Sequence, residues 1–201
     1  MERPCVGHMA AAKRILRYVK GTLNHGLLYQ QKGIYSLQGY VDALWAGNVN
    51  DRCSTSGYCF NLGSAVISWC IKKQATMELS STEAEYVAAT LASQDCIWLT
   101  RLLQDVNETS KFPISIFCDN ESAIKLAENP VFHARTKHID IHYHFIQEKV
   151  LNQEIELHAI STTKQVADGF TKALSRTKFE EFRRALGHVD RRNALRGSVT
   201  S

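Results

Sequence analysis

Apolar positions first recur at helical spacing in residues 9–20, where Ile15, Leu16 and Val19 are followed by a stop at Gly21. The stretch "HGLLYQQ" behind them reads as a short extended strand. From Leu37 the period shortens to that of strands. "LQGYVDALWAG", "SGYCFNLG" and "AVISWCIKK" are three β-rich runs; "NVNDRCST" divides the first two, and Gly63-Ser64 turns the second into the third. An antiparallel meander is predicted.

Helical spacing returns after "LSSTEAEY". Val87, Leu91, Trp98 and Leu102 recur at four- and seven-residue intervals and predict one buried face through about Val106. "FPISIFCDN" is a nearly all-apolar strand of the kind covered on both faces. "ESAIKLAEN" predicts a short helix stopped by Pro130, and "TKHIDIHYHFIQEKVL" a second with Ile139, Tyr143, Ile146 and Val150 along one side. "EIELHAIS" alternates as a strand, and "TKQVADGFTKAL" and "KFEEFRRAL" predict the last two helices. Three meander strands followed by alternating helices and strands imply an α/β fold: a mixed five-stranded sheet with helices packed on both faces.

Composition narrows this little. The chain has 201 residues, 44% hydrophobic and 22% charged, with three prolines, enough for one ordinary domain and a short appendage. No apolar run approaches the roughly 20 residues of a membrane helix, and the opening "MERPCVGHMAAAKR" has no apolar signal core, so neither membrane insertion nor export is expected. Six cysteines without a CxxC pair read as reduced small hydrophobes rather than disulfides or a zinc cage. The net charge of +4 is concentrated in "AAKRILRYVKG" and "FRRALGHVDRRNALRG", compatible with a polyanionic partner, but by charge alone better explained as solvated helix faces.

The acids carry more information. Asp42 lies inside the strand "GYVDALW", where an unpaired charge is costly. Asp119 ends the strand "ISIFCD", the position at which open α/β sheets collect their sites. Asp168 stands in "QVADGF" near a helix start, and Glu85 in the first turn of the long helix. Ser80 and Glu83 fit a capping box, which accounts for Glu83 and leaves Glu85 without a structural role. The bland alternative is four unrelated acids. If they converge, their mutual repulsion calls for hard divalent cations, Mg²⁺ or Mn²⁺, and two such ions would suit in-line phosphodiester cleavage.

The runs "YVDALWAGNVNDRCSTSGYCFNLGSAVISWCIKKQATMELSSTEAEYVAA", "IFCDNESAIKLAENPVFHARTKHIDIHYHFIQEKV" and "QVADGFTKAL" resemble the ribonuclease H domain of copia-type retrotransposon Pol polyproteins, from about Leu37 to Leu186. Upstream, "HMAAAKRILRYVKGTLNHGLLY" is weakly similar to the segment joining reverse transcriptase to ribonuclease H in that family. The resemblance implies three parts: a connection remnant (1–34), a ribonuclease H-like domain (35–187) and a basic, disordered tail (188–201). It implies hydrolysis of the RNA strand of RNA–DNA hybrids with two Mg²⁺ ions, Mn²⁺ substituting, held by Asp42, Glu85, Asp119 and Asp168. Ser81, Thr82 and Asn120 are the nucleic-acid contacts it suggests, helix capping serving equally well for the two hydroxyls; Arg135, Lys137 and His138 are further candidates that surface polarity alone would also explain. The reverse transcriptase domain of the same polyprotein is the implied partner. Residence would be intracellular, in a cytoplasmic particle or the nucleus.

Departures from the family pattern lie close to the acids. Leu44 stands where a second Asp is usual, and Gly169 replaces an apolar residue directly after Asp168, at about 1 kcal/mol in helix propensity relative to Ala, which could loosen the fourth ligand. The loop "STTKQ" lacks the histidine found there in many cellular enzymes, and His158 falls within a strand. His138 and His142 have zinc spacing without further ligands in register. Two rivals stand beside the enzyme: a hybrid- or RNA-binding module with decayed catalysis, and a structural remnant of a Pol polyprotein.

Overall fold

The computed structural model describes residues 4–30, 35–47, 52–106, 113–129 and 137–194, with the side chains of 137–143 and 193–194 outside that description. Its centre is a five-stranded sheet made of β2 (Leu37–Leu44), β3 (Thr55–Leu62), β4 (Ala65–Lys73), β5 (Ile114–Cys118) and β6 (Ile155–Ala159), in the order β4-β3-β2-β5-β6. β2, β3 and β4 pair antiparallel as the predicted meander, closed by the turn at Gly63 and Ser64. β5 joins β2 in parallel, and β6 joins β5 in parallel. A parallel neighbour needs a crossover. The long helix α2 (Ser81–Asp105) makes one, and α3 (Glu121–Glu128) with α4 (Lys137–Leu151) makes the other.

α2 buries a different stripe from the one its large apolar residues suggest. Trp98 is 59% exposed and Leu102 45%, whereas Ala84, Ala88, Ala92 and Cys96 are fully buried. The reason is position. α2 lies between the sheet and α3 and α4, and small residues let it approach both closely. The core it closes includes Val41, Tyr58, Phe60, Ile114, Ile116 and Ile146. Tyr86 is buried as well.

The opposite face of the sheet carries α5 (Asp168–Thr171), which packs on β2, β3 and β4, and α6 (Arg176–Ala185) packs against α5 through Phe182. The predicted helix over "TKQVADGFTKAL" is therefore broken into a 3-10 turn at Thr162–Lys164 and the single turn of α5. α5 can lie on the sheet because Gly57 has no side chain: a Cβ there would stand 2.6 Å from Thr171 Cγ2 and 2.9 Å from Phe170 Cβ. Among the described residues, helix cover on this face reaches β2, β3 and β4 through α5. Tyr40 and Phe117 stack there with centroids 5.2 Å apart, and His158 tilts against Phe117. β5 is thus fully buried on one face only, contrary to the all-apolar reading of its sequence.

A smaller unit joins the two ends of the chain. β1 (His25–Leu27) pairs antiparallel with β7 (His188–Asp190), which leads into the single turn α7 (Arg191–Ala194). Residues 188–190, expected as the start of a disordered tail, are therefore held by ladder hydrogen bonds, by the stack of His25 on His188 and by Arg183 against His188. Residues 195–201 lie outside the described residues. α1 (Val6–Gly21) buries no side chain; Tyr18 meets Phe179 of α6 edge-on. No helix among the described residues is long and apolar enough to cross a membrane.

Candidate active site

β2 and β5 run parallel with Val41 opposite Cys118, so the next residue of each strand, Asp42 and Asp119, fall side by side at one end of the sheet. Glu85 comes from α2. Its helix starts at Ser81, so the first turn contains Glu83, and Glu85 stands just past it rather than within it as the sequence pattern predicts. Oxygen atoms of Asp42, Glu85 and Asp119 lie within 4.8 Å of one another. No other such group of three metal-ligating side chains occurs among the described residues.

The two glutamates of "SSTEAEY" have separate surroundings. Glu83 accepts from the Leu79 amide at 2.7 Å, while its own amide donates to Ser80 Oγ at 3.2 Å, closing the start of the helix. Glu85 is buried against the other acids. Burial, then the charge of Asp42, push its carboxyl up to about 9 against a hydrogen bond with the Ala43 backbone; Asp119 adds to the rise. A carboxyl in that state keeps a proton where no cation replaces it.

Asp168 approaches Asp42 from the other side. The buried Gln165 donates to the Val41 carbonyl at 3.0 Å and accepts from the Ala167 amide at 3.1 Å, fastening the loop before α5 to β2. Thr171 Oγ1 then donates to Asp42 Oδ2. Lys172 spans the gap, with Nζ 3.1 Å from Asp42 Oδ1 and 2.8 Å from Asp168 Oδ1. Burial works against the ammonium, but its bonds to Asp168 and Asp42 outweigh it and hold its pKa above the ordinary value. Asp42, fully buried, is thus shared between two limbs: Glu85 and Asp119 on one, Asp168 and Lys172 on the other.

Gly169 has a structural account. A Cβ at this position would run into the ring of Phe182 in α6, which also packs edge-on against Phe170. The glycine leaves the space that this ring occupies against α5. Leu44 packs its side chain over Gly47 beyond the acids. His158 lies in β6 with Glu156 at 3.4 Å, away from the "STTKQ" loop.

The remaining expected contacts divide. Ser81 is exposed and Thr82 half-buried in the first turn of α2, one turn before Glu85. Asn120 is half-buried and caps α3, accepting from the Ala123 amide at 3.0 Å. Arg135 lies outside the described residues, and of Lys137, His138 and His142 only the helical backbone of α4 is described. Cys59, Cys96 and Cys118 are buried thiols, each pushed up to about 12 by burial, and no cysteine is in a disulfide. Sequence reasoning missed Gln165, Thr171, Lys172 and Gly57. Only Lys172 left a sequence signal, its four-residue spacing from Asp168.

This strand order, with acids gathered at the ends of the two central parallel strands, defines a ribonuclease H-like fold. The N-terminal ribonuclease H domain of a Mycobacterium tuberculosis protein, solved as a fusion with maltose-binding protein, matches with a TM-score of 0.50 at 10% identity, over 75% of this chain and 98% of that one. No family model matches the chain. Among curated proteins, the retrovirus-related Pol polyprotein from transposon RE1 of Arabidopsis thaliana is 44% identical over 187 residues, and that from transposon TNT 1-94 of Nicotiana tabacum 42% identical over 187 residues, each covering 93% of this chain. Its homologues over most of the chain are thus retrovirus-related Pol polyproteins of copia-type transposons. It spans 13% and 14% of the length of these two relatives.

Proposed function

We propose that this chain is the ribonuclease H module of a retrotransposon Pol polyprotein and hydrolyses the RNA strand of RNA–DNA hybrids. The observation that carries the reading is the meeting of Asp42, Glu85 and Asp119 at adjacent strand ends. All three donors are carboxylate oxygens, the hard ligands that Mg²⁺ and Mn²⁺ prefer. The raised Glu85 pKa supports the fit, since a divalent ion would replace the proton that the crowded carboxyl otherwise retains.

Asp42, Glu85 and Asp119 would hold one ion, and Asp42 with Asp168 a second. Such ions, when bound, supply an activated water and neutralise charge at the scissile phosphate. The protein's own contribution is rigidity. Ladder pairing fixes Asp42 beside Asp119, the alanine face of α2 fixes Glu85, and Gln165 with Gly57 fixes α5 against β2. Ser81, exposed, and Thr82, half-buried, in the first turn of α2, would meet the sugar–phosphate backbone, and contacts to 2′-hydroxyls would select RNA. Asn120 already spends its side-chain oxygen on the cap and would contribute through its amide group. Residues 1–34 would lead from the polymerase domain of the intact element.

Cleavage of a labelled RNA–DNA hybrid tests this, with Mg²⁺, with Ca²⁺ and without metal, for the protein and Asp119→Asn. Hybrid-only, Mg²⁺-dependent cleavage abolished in Asp119→Asn is the expected result. A folded protein that binds hybrid in Mg²⁺ and Mn²⁺ but never cuts it would overturn the enzymatic reading in favour of a binding module.

A further inference from the structure

The acid cluster is asymmetric. Glu85 and Asp119 have no side-chain cation within bonding distance among the described residues, whereas Asp42 and Asp168 are bridged by Lys172. Both bridging oxygens, Asp42 Oδ1 and Asp168 Oδ1, belong to carboxylates buried to 1% and 9% side-chain exposure, where an uncompensated charge is costly. The ammonium supplies that compensation. A divalent ion taking the same oxygens would stand within a few ångströms of it, and two cations at that separation repel.

Lys172 is built to leave. Its side chain is 36% exposed, unlike the carboxylates it joins, and its backbone at the end of α5 is already extended at φ −125 and ψ 152. It can swing to solvent without unwinding the turn that carries Asp168. Thr171, by contrast, stays on Asp42 Oδ2 through the body of α5.

We infer that Lys172 is a resident counter-cation and a positioning residue for the metal centre: it holds the Asp42–Asp168 limb closed in the ion-free protein and must be displaced before an ion can occupy that limb. The inference rests on the two-ion reading above. It orders the two ions. The Asp42–Glu85–Asp119 limb fills first and weakens only the repulsion among its own acids; the Asp42–Asp168 limb fills second, with an affinity set by the release of Lys172.

Calorimetric titration of the full chain with Mn²⁺ alone, without nucleic acid, tests this on the unsubstituted protein, Lys172→Met and Lys172→Arg. Lys172→Met, which keeps the chain's bulk and removes its charge, should tighten the second binding step at least tenfold while the first changes less than threefold. Lys172→Arg should keep the weak second step. The ion-free melting temperature of Lys172→Met should fall and recover on Mn²⁺ addition. Equal second-step affinities in folded Lys172→Met and the unsubstituted protein would overturn the inference and leave the two-ion reading standing. Absence of any Mn²⁺ binding in folded protein would overturn the two-ion reading itself. Should Lys172→Met fail to fold, reductive methylation of the unsubstituted protein decides: Lys172 must be slow to modify without metal and fast at saturating Mn²⁺, and unchanged reactivity refutes its displacement.

Discussion

Replacing Gly57 by Ala probes the contact on which the second half of the site depends. Gly57 faces Asp42 across the β2–β3 ladder and leaves the space that α5 fills. The added Cβ would stand 2.6 Å from Thr171 Cγ2, 2.9 Å from Phe170 Cβ and 3.5 Å from the Ala167 carbonyl oxygen. Carbon atoms pack at about 3.5–4.0 Å, so α5 must retreat by roughly 1 Å. Overpacking of this kind costs about 1–3 kcal/mol. The retreat acts selectively. Asp168 and Lys172 both move with α5 and keep their ion pair, whereas the bonds of Thr171 and Lys172 to Asp42 cross from α5 to β2 and break. Denaturant titration should show the stability loss, and Mn²⁺ titration a weaker second ion. Gly39→Ala is the control. Its Cβ would stand 2.6 Å from the buried Phe60 ring, so it should destabilise comparably without the metal effect. Gly21→Ala, with nothing within 4 Å, should change stability by less than about 0.5 kcal/mol. A Gly57→Ala protein within that margin of the unsubstituted chain, binding Mn²⁺ equally well, would refute the role given to this contact.

Gly169→Ala should lower stability by about 1–3 kcal/mol through its clash with Phe182; in a double-mutant cycle with Phe182→Leu, the combined loss should be smaller than the sum of the two single losses. Glu85 makes the ion-free protein's stability depend on pH. Its folded pKa of about 9 exceeds the ordinary 4.5, so the stability it contributes is complete below about 4.5 and lost as pH rises through about 9. Melting temperatures across that window should show a decline that Glu85→Gln flattens and saturating Mg²⁺ offsets increasingly towards high pH. Asn120→Ala should cost about 1 kcal/mol by uncapping α3, while Asn120→Ser, which retains a capping oxygen, should recover most of it in the same denaturation assay.

The meander and both parallel additions were legible in the sequence because strand periodicity and turn residues are local signals, and the hairpin at Gly63-Ser64 is a case of it. The buried face of α2 was not. Periodicity weights large apolar residues, but a helix packed between a sheet and two other helices is selected for close approach, so Ala84, Ala88 and Ala92 went inside and Trp98 stayed out. A similar limit applies to Asp168, whose helix pattern gave no sign that only one turn would form.

At the site, the legible residues were those whose setting costs free energy. Asp42 in a strand interior and Asp119 at a strand end are conspicuous because solvation alone would not put carboxylates there. Lys172, Thr171, Gln165 and Gly57 are ordinary residues in ordinary local contexts. Their part in the site exists only after the last turn of the domain folds back, 129 residues along the chain from Asp42 in the case of Thr171. Yet they decide how much of the carboxylate repulsion the ion-free protein must tolerate. Lys172 neutralises one limb and leaves the other to Glu85's retained proton. On the two-ion reading proposed above, each limb of the ion-free cluster has its own temporary substitute for a cation, one an ammonium and the other a proton, and both would be given up when ions bind.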